Sequence, residues 1–195
     1  MNLLMPAYLL CGGGSKRFGS DKALALINGR KVIEIIIEEL RKVFPSIYLV
    51  TSGDDKYSFT GIECIKDIYA GRGPLAGIHA ALNHSSYERV FIISCDMPLI
   101  TGEAMEYIAG YSTQKNAVIP FSGGRNHYMC AVYGKSLAHK AGELLESTSS
   151  QLKSAGVAPL VKASDAEIIN FDSLPQFNPK IFFNLNTIED LNSLS

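Results

Sequence analysis

The sequence has no tryptophan, only four cysteines and no excess of either charge: 18 Lys and Arg stand against 19 Asp and Glu in 195 residues, a net charge of −1. A chain so balanced, without a run of one sign, lacks the electrostatic footprint of a nucleic-acid or anionic-membrane binder and favours a small-molecule partner. Long apolar runs are missing too. The longest, residues 3–11, covers nine positions and runs into glycines, well short of the ~18 needed to cross a bilayer. It carries neither a basic leader nor a small-residue cleavage site, so no signal peptide is expected and a cytoplasmic location is. Cys11, Cys64, Cys95 and Cys130 include no CxxC pair, and the four histidines show no metal-ligand spacing. Each cysteine lies among apolar, strand-like residues, which predicts buried free thiols rather than disulfides or zinc ligands.

What is present is core-forming. The residues AVILMFWYC make up 47% of the chain and charged residues 19%, which excludes a disordered tail and suits one domain of ordinary size. Residues 8–10, 47–50 and 90–93 are continuous apolar runs, the pattern of strands covered on both faces. Between the first two, residues 32–44 place Ile33, Ile36, Ile37, Leu40 and Val43 on one stripe with Glu34 and Glu38 off it, predicting a helix that Pro45 stops. A second helix is expected over 74–83, with Pro74 at its first position, and a third from near Thr101. This alternation implies an α/β domain with a mostly parallel sheet and helices on both faces. The second half is less regular. Residues 116–120 and 127–133 suggest two strands around a turn at Ser122-Gly123-Gly124; further strands are expected at 167–171 and 181–185. An amphipathic helix is expected over 137–145, followed by a polar link at 147–150.

The segment after the first strand carries most of the chemistry. In Cys11-Gly12-Gly13-Gly14-Ser15-Lys16-Arg17-Phe18-Gly19-Ser20-Asp21-Lys22, glycines let backbone N–H groups approach an anion closely. Three cations, Lys16, Arg17 and Lys22, accompany them. The P-loop pattern fails, because Ser20-Asp21 follows Gly19 where Lys-Ser/Thr is required. The dinucleotide fingerprint fails at Arg17, where glycine is required. At the carboxyl end of a first strand, where open α/β sheets bind ligands, the combination points to phosphate. Its alternative is a glycine-rich turn with solvated cations.

This segment resembles the LAGGxSxRMGxDK signature of the nucleotidyltransferases that make molybdenum cofactor dinucleotides, through Leu10, Gly12, Gly13, Ser15, Arg17, Gly19, Asp21 and Lys22. Cys11 and Phe18 stand where the signature has alanine and methionine. Further matches follow in order: Asp67, Gly73-Pro74-Leu75-Ala76-Gly77, Cys95-Asp96-Met97-Pro98 and Asn184-Leu185-Asn186-Thr187. Among these enzymes the guanylyltransferases are the most similar, departing at Tyr128 and Ile188, where prolines are usual. The resemblance implies a three-layer, Rossmann-like nucleotidyltransferase domain that moves GMP from Mg·GTP to molybdenum-bound molybdopterin, with transient contact to proteins that deliver or accept the cofactor. A cytidylyl or sugar-phosphate transferase of the same fold, or a non-catalytic nucleotide binder, stays open as an alternative.

The resemblance assigns Leu10, Cys11, Gly12, Gly13, Thr51, Asp67, Lys22 and Asp96 to GTP, with Arg17, Lys22 and Asp96 in the chemistry. Asp96 follows the third strand, so its carboxylate is expected at the carboxyl end, a hard oxygen ligand suited to Mg²⁺; a turn cap is its alternative. Asp67 is balanced between nucleotide contact and capping. Asn184 and Asn186 flank an inward Leu185, so they share one face if the segment is a strand. The resemblance places them on the molybdopterin side, away from the glycine loop. Thr187, with Asp190 three residues on, fits a helix capping box. His127 is expected to be a strand histidine rather than a base.

Overall fold

A computed structural model describes residues 4–12, 18, 21–53, 55–69, 71–147 and 156–194. The chain runs β1 (Ala7–Leu10), β2 (Leu26–Ile27), β3 (Arg30–Lys31), α1 (Val32–Arg41), β4 (Ile47–Thr51), β5 (Cys64–Lys66), α2 (Pro74–His84), β6 (Arg89–Ser94) and α3 (Gly102–Ala109). It continues with β7 (Ala117–Ser122), β8 (Arg125–Asn126), β9 (Cys130–Gly134), α4 (Ala138–Ser147), α5 (Ala158–Ala163), β10 (Ala166–Asn170) and α6 (Ile188–Asn192). The main sheet has the order β10-β7-β9-β6-β1-β4-β5, with β8 hairpinned onto β7; β2 and β3 form a separate ribbon. β5, β4, β1 and β6 are parallel neighbours, and β10 is parallel to β7. Only β9, between β6 and β7, and the short β8 run against their neighbours in this sheet.

Alternation along each strand divides the core into two layers. Leu9, Phe91 and Ile93 face one side with the α1 stripe (Ile33, Ile36, Ile37, Leu40) and α3 residues Met105 and Ile108. Tyr8, Leu10, Val90 and Ile92 face the other, under α2, α4 and α5. The sheet with helices on both faces is therefore the three-layer α/β architecture that the apolar runs imply. The α2 layer lies close to the sheet because Gly77 has no side chain: a Cβ there would sit 2.9 Å from Leu10 Cδ1.

Several boundaries differ from the sequence expectation, each for a local reason. Helix α1 ends at Arg41, not at 44: Lys42 N–H bonds Glu39 C=O and Val43 N–H bonds Leu40 C=O, the tighter i→i−3 pattern that closes a helix ahead of Pro45. Phe44 instead turns onto the sheet, its ring 4.8 Å from that of Phe91. The Gly123-Gly124 turn has φ of 57° and 76°, the left-handed values that a two-residue hairpin demands. It leads into the short β8, so the strand expected at 127–133 starts only at Cys130. No strand forms at 181–185. Asn178 accepts from the Lys180 N–H (2.9 Å) and caps a 3₁₀ turn, Pro179–Phe182, that Pro179 initiates. Cys11 and Cys130 are buried, but Cys64 is exposed and Cys95 half-buried; Cys64 lies on edge strand β5, which the sheet covers on one side only. All four are free thiols.

Candidate active site

The carboxyl ends of β1, β4, β5 and β6 lie along one sheet edge, and the residues that follow them are Cys11, Ser52, Asp67 and Cys95-Asp96. From β1 the chain first adds β4 on one side and later returns to add β6 on the other, so the order reverses between β1 and β6. Open α/β sheets bind ligands at such a switch point. Backbone bonds extend the sheet past it: Cys11 N–H donates to Val50 C=O (2.8 Å), Asp67 N–H to Thr51 C=O (3.0 Å) and Cys95 N–H to Leu10 C=O (3.2 Å). Gly12 is exposed. Its φ of +150° strains any residue with a side chain, and no atom of the described residues beyond its chain neighbours lies within 4 Å of where a Cβ would stand.

Lys22 begins a 3₁₀ turn, Lys22–Leu24, capped by Asp21, whose Oδ1 accepts from Ala23 N–H (3.1 Å). The other Asp21 oxygen accepts from the Tyr57 hydroxyl (2.7 Å) and pairs with Lys56 Nζ (2.7 Å). Burial works against the charged carboxylate, but bonds from Lys56, Tyr57 and Ala23 outweigh it and hold the Asp21 carboxyl below its ordinary value. Tyr57 is fully buried and 36 positions from Asp21. Neither it nor Lys56 belongs to any motif; an aromatic in a polar stretch is the only hint the sequence offers.

The tail completes the edge. Leu185, fully buried, donates its N–H to the Asp96 carbonyl (2.7 Å). Asn186 Oδ1 accepts from Lys22 Nζ (2.9 Å). The expectation that Asn186 stands away from the glycine loop is therefore corrected: a separation of 164 positions in sequence is closed by one side-chain hydrogen bond. The inward Leu185 and outward Asn186 keep their alternation without a strand. Beyond them, Thr187 and Asp190 form the expected capping box of α6. The aromatic base of the tail is His127, stacked on Phe182 at 4.2 Å between ring centres. His127 Nε2 bonds the Ser122 carbonyl (3.1 Å) and the ring is buried; it is a structural histidine, but it lies in the loop between β8 and β9 rather than in the strand expected for it.

Two of the expected nucleotide residues are engaged locally. Thr51 is buried, and its hydroxyl accepts from Gly53 N–H (3.1 Å). Asp67 Oδ1 accepts from Tyr69 N–H (2.8 Å), and burial raises its carboxyl above the ordinary range despite that bond. Gly13 and Arg17 lie outside the described residues, as do Lys16 and the link at 148–150.

Asp96 is half-buried, and its bond to Leu185 uses the backbone carbonyl, not the carboxylate. Among the described residues no three His, Cys, Asp or Glu side chains converge to hold a metal ion. One hard carboxylate at the edge fits Mg²⁺ that arrives with substrate phosphates rather than a fully protein-bound ion. No helix among the described residues is long and apolar enough to cross a membrane.

A mostly parallel sheet between helix layers, with Gly12 exposed after β1 and Asp96 after β6 at the switch point, is the architecture of a nucleotide-binding α/β domain. The chain belongs to the MobA-like NTP transferase domain family, whose model matches residues 7–163. It is 34% identical over 200 residues to a protein of Peptoclostridium acidaminophilum named "Probable molybdenum cofactor guanylyltransferase", covering 97% of this chain and 87% of that one. A protein of the same name from Flavobacterium johnsoniae is 30% identical, with 98% and 96% covered. Among solved structures, molybdopterin-guanine dinucleotide biosynthesis protein A from Archaeoglobus fulgidus superposes with a TM-score of 0.80 at 25% identity, covering 97% and 96% of the two chains. The 4-diphosphocytidyl-2C-methyl-D-erythritol synthase of Anaerococcus prevotii, at 14% identity and a TM-score of 0.73 over 97% and 93%, shares the fold alone.

Proposed function

We propose that this enzyme transfers GMP from GTP to molybdenum-bound molybdopterin and releases pyrophosphate. The observation that carries the reading is the tail segment bridging the edge: Leu185 on Asp96 and Asn186 on Lys22 bring an acceptor-side element against the proposed triphosphate side. A phosphate oxygen of the acceptor attacks the α-phosphorus of GTP, a new P–O bond forms, and the bond to the bridging oxygen breaks. The attacking phosphate is already anionic, so no protein base is needed. Lys22, with Arg17, stabilises the charge that builds on the phosphates. Asp96 would hold Mg²⁺, which when bound would neutralise charge on the triphosphate. Asn184 and Asn186 face the molybdopterin.

Leu10 C=O and Cys11 N–H are used by the sheet, so pairing with the guanine edge falls to the backbone of Gly12 and Gly13. Thr51 and Asp67 support that pocket by shaping the turns after β4 and β5. We place the reaction in the cytoplasm, where thiols such as these four stay reduced.

Base choice tests the reading without any acceptor. GTP with Mg²⁺ at ~100 times its dissociation constant should stabilise the fold by about 2.7 kcal/mol. At roughly 2–4 °C per kcal/mol for a domain of this size, the melting shift is readily measured. ATP, CTP and UTP should give little shift, because a site built on hydrogen bonds leaves groups unpaired against the wrong base. A larger shift with CTP would make the enzyme a cytidylyltransferase.

A further inference from the structure

The thiols of Cys11 and Cys95 occupy equivalent places at the switch point. β1 and β6 pair in parallel with Leu10 opposite Ser94, so one step on Cys11 stands opposite Cys95, and Cys95 N–H bonds Leu10 C=O at 3.2 Å. Both side chains point into the layer beneath α1, where Cys11 belongs to the core and Cys95 packs against it. The two thiols thus stand on the same face of adjacent strands. Neighbouring strands are about 4.8 Å apart, within the ~4.4–6.8 Å that separates the Cα atoms of a disulfide. The proposed transfer reaction uses neither sulfur.

We propose that Cys11 and Cys95 form a reversible disulfide under oxidising stress, joining the two strand ends that carry the nucleotide site. Cys95 is half-buried whereas Cys11 is only 1% exposed, so a peroxide meets Cys95 first. Its sulfur attacks one peroxide oxygen, giving a sulfenic acid and water. The Cys11 sulfur then attacks the Cys95 sulfur; the S–S bond forms, the S–O bond breaks, and the departing hydroxide leaves as water with the Cys11 proton. One peroxide is reduced to two waters, and a dithiol reductant reverses the oxidation. To bond, the two sulfurs must close to about 2.05 Å. That closure pulls Gly12 and Asp96, each one residue from a bonded sulfur, out of their reduced positions.

The test is hydrogen peroxide treatment of the full chain, followed by alkylation, trypsin digestion and mass analysis. The expected product links the peptide 1–16 to the peptide 90–115, with the loss of two hydrogens, and disappears with dithiothreitol. Cys95→Ser should abolish it, and Cys64→Ser should not. GTP affinity should fall at least tenfold on oxidation in the wild type and in Cys64→Ser, return on reduction, and stay unchanged in Cys95→Ser. Full modification of the exposed Cys64 with no linked peptide would overturn the proposal, as would a Cys95→Ser protein that loses GTP binding in peroxide as the wild type does. The affinity arm rests on the guanylyl transfer proposed above, but the linked peptide does not. A reduced protein that fails to bind GTP would sink that function and leave the cross-link standing.

Discussion

The two sides of β6 are built by different means. On one side, β1, β4 and β5 run parallel to β6, joined by α1 and α2, and every strand delivers its carboxyl end to the same edge. On the other, β9 reverses direction and the last part of the chain wraps back through an aromatic cluster of Tyr107, Phe171, Phe177, Phe182 and His127. The first side places its residues through backbone periodicity; the second places Asn184 and Asn186 through side-chain packing. The two sides meet at Asp96–Leu185 and Lys22–Asn186, along the proposed active edge.

Removing a ring from each side tests that contrast most severely. Phe182→Ala and Phe44→Ala both delete a buried aromatic and should each cost about 3–5 kcal/mol in denaturant unfolding. In the protein that remains folded, Phe182→Ala should also depress turnover, because the seat of the tail is gone, while Phe44→Ala should not. Equal turnover in the two variants would erase the distinction. Where the sides meet, Asp96→Asn should preserve the melting temperature and lower pyrophosphate release at least ~100-fold, the scale expected when a metal ligand is weakened. Near-normal release at saturating Mg²⁺ would make Asp96 a turn residue.

Within the first side, Tyr57→Phe removes one bond to a charged carboxylate, an effect of ~1.5–3 kcal/mol. It also changes the acid limb. Because the folded Asp21 carboxyl lies below its ordinary value of 3.8, its stabilisation is full above that pH and is lost as pH falls further. The variant should show a shallower fall in stability below about pH 4, measured by urea unfolding at a series of pH values. An unchanged slope would remove Tyr57 from the clamp. The smallest effect separates the two tail amides. Asn186→Ala releases Lys22 from an exposed bond worth about 0.5–1.5 kcal/mol and should weaken GTP binding by roughly 2–10-fold in calorimetry. Asn184→Ala should leave GTP affinity unchanged and lower use of the acceptor. If both variants bind GTP alike, the Lys22–Asn186 bond plays no part in the site.

How legible each side is follows from the range of the forces involved. The apolar runs at 47–50 and 90–93 mark strands, and the stripe of Ile33, Ile36, Ile37 and Leu40 marks α1, because a buried face repeats within a few residues. Segment 181–185 resembles a strand for the same reason, since Ile181, Phe182 and Leu185 are indeed buried. Periodicity reports burial, however, and not the partner, and a capped 3₁₀ turn buries the same residues without a ladder. The antiparallel direction of β9 is equally invisible: an apolar strand reads the same in both directions. The apolar neighbours of Cys64 suggest burial, yet an edge strand has no cover on its outer side.

By itself the sequence determined the α/β class, strands β1, β4 and β6, helices α1 to α3, and that Cys11 and Asp96 follow strand ends. These depend on local spacing of apolar side chains and on glycine and proline, whose backbone limits act within one or two residues. Only the tertiary structure decided that Tyr57 and Lys56 grip Asp21, that Asn186 reaches Lys22, and that Cys11 stands opposite Cys95. Each contact joins segments with no common local pattern. It is set by strand order and by how the tail packs, which depend on the summed burial of the whole chain rather than on any stretch of it.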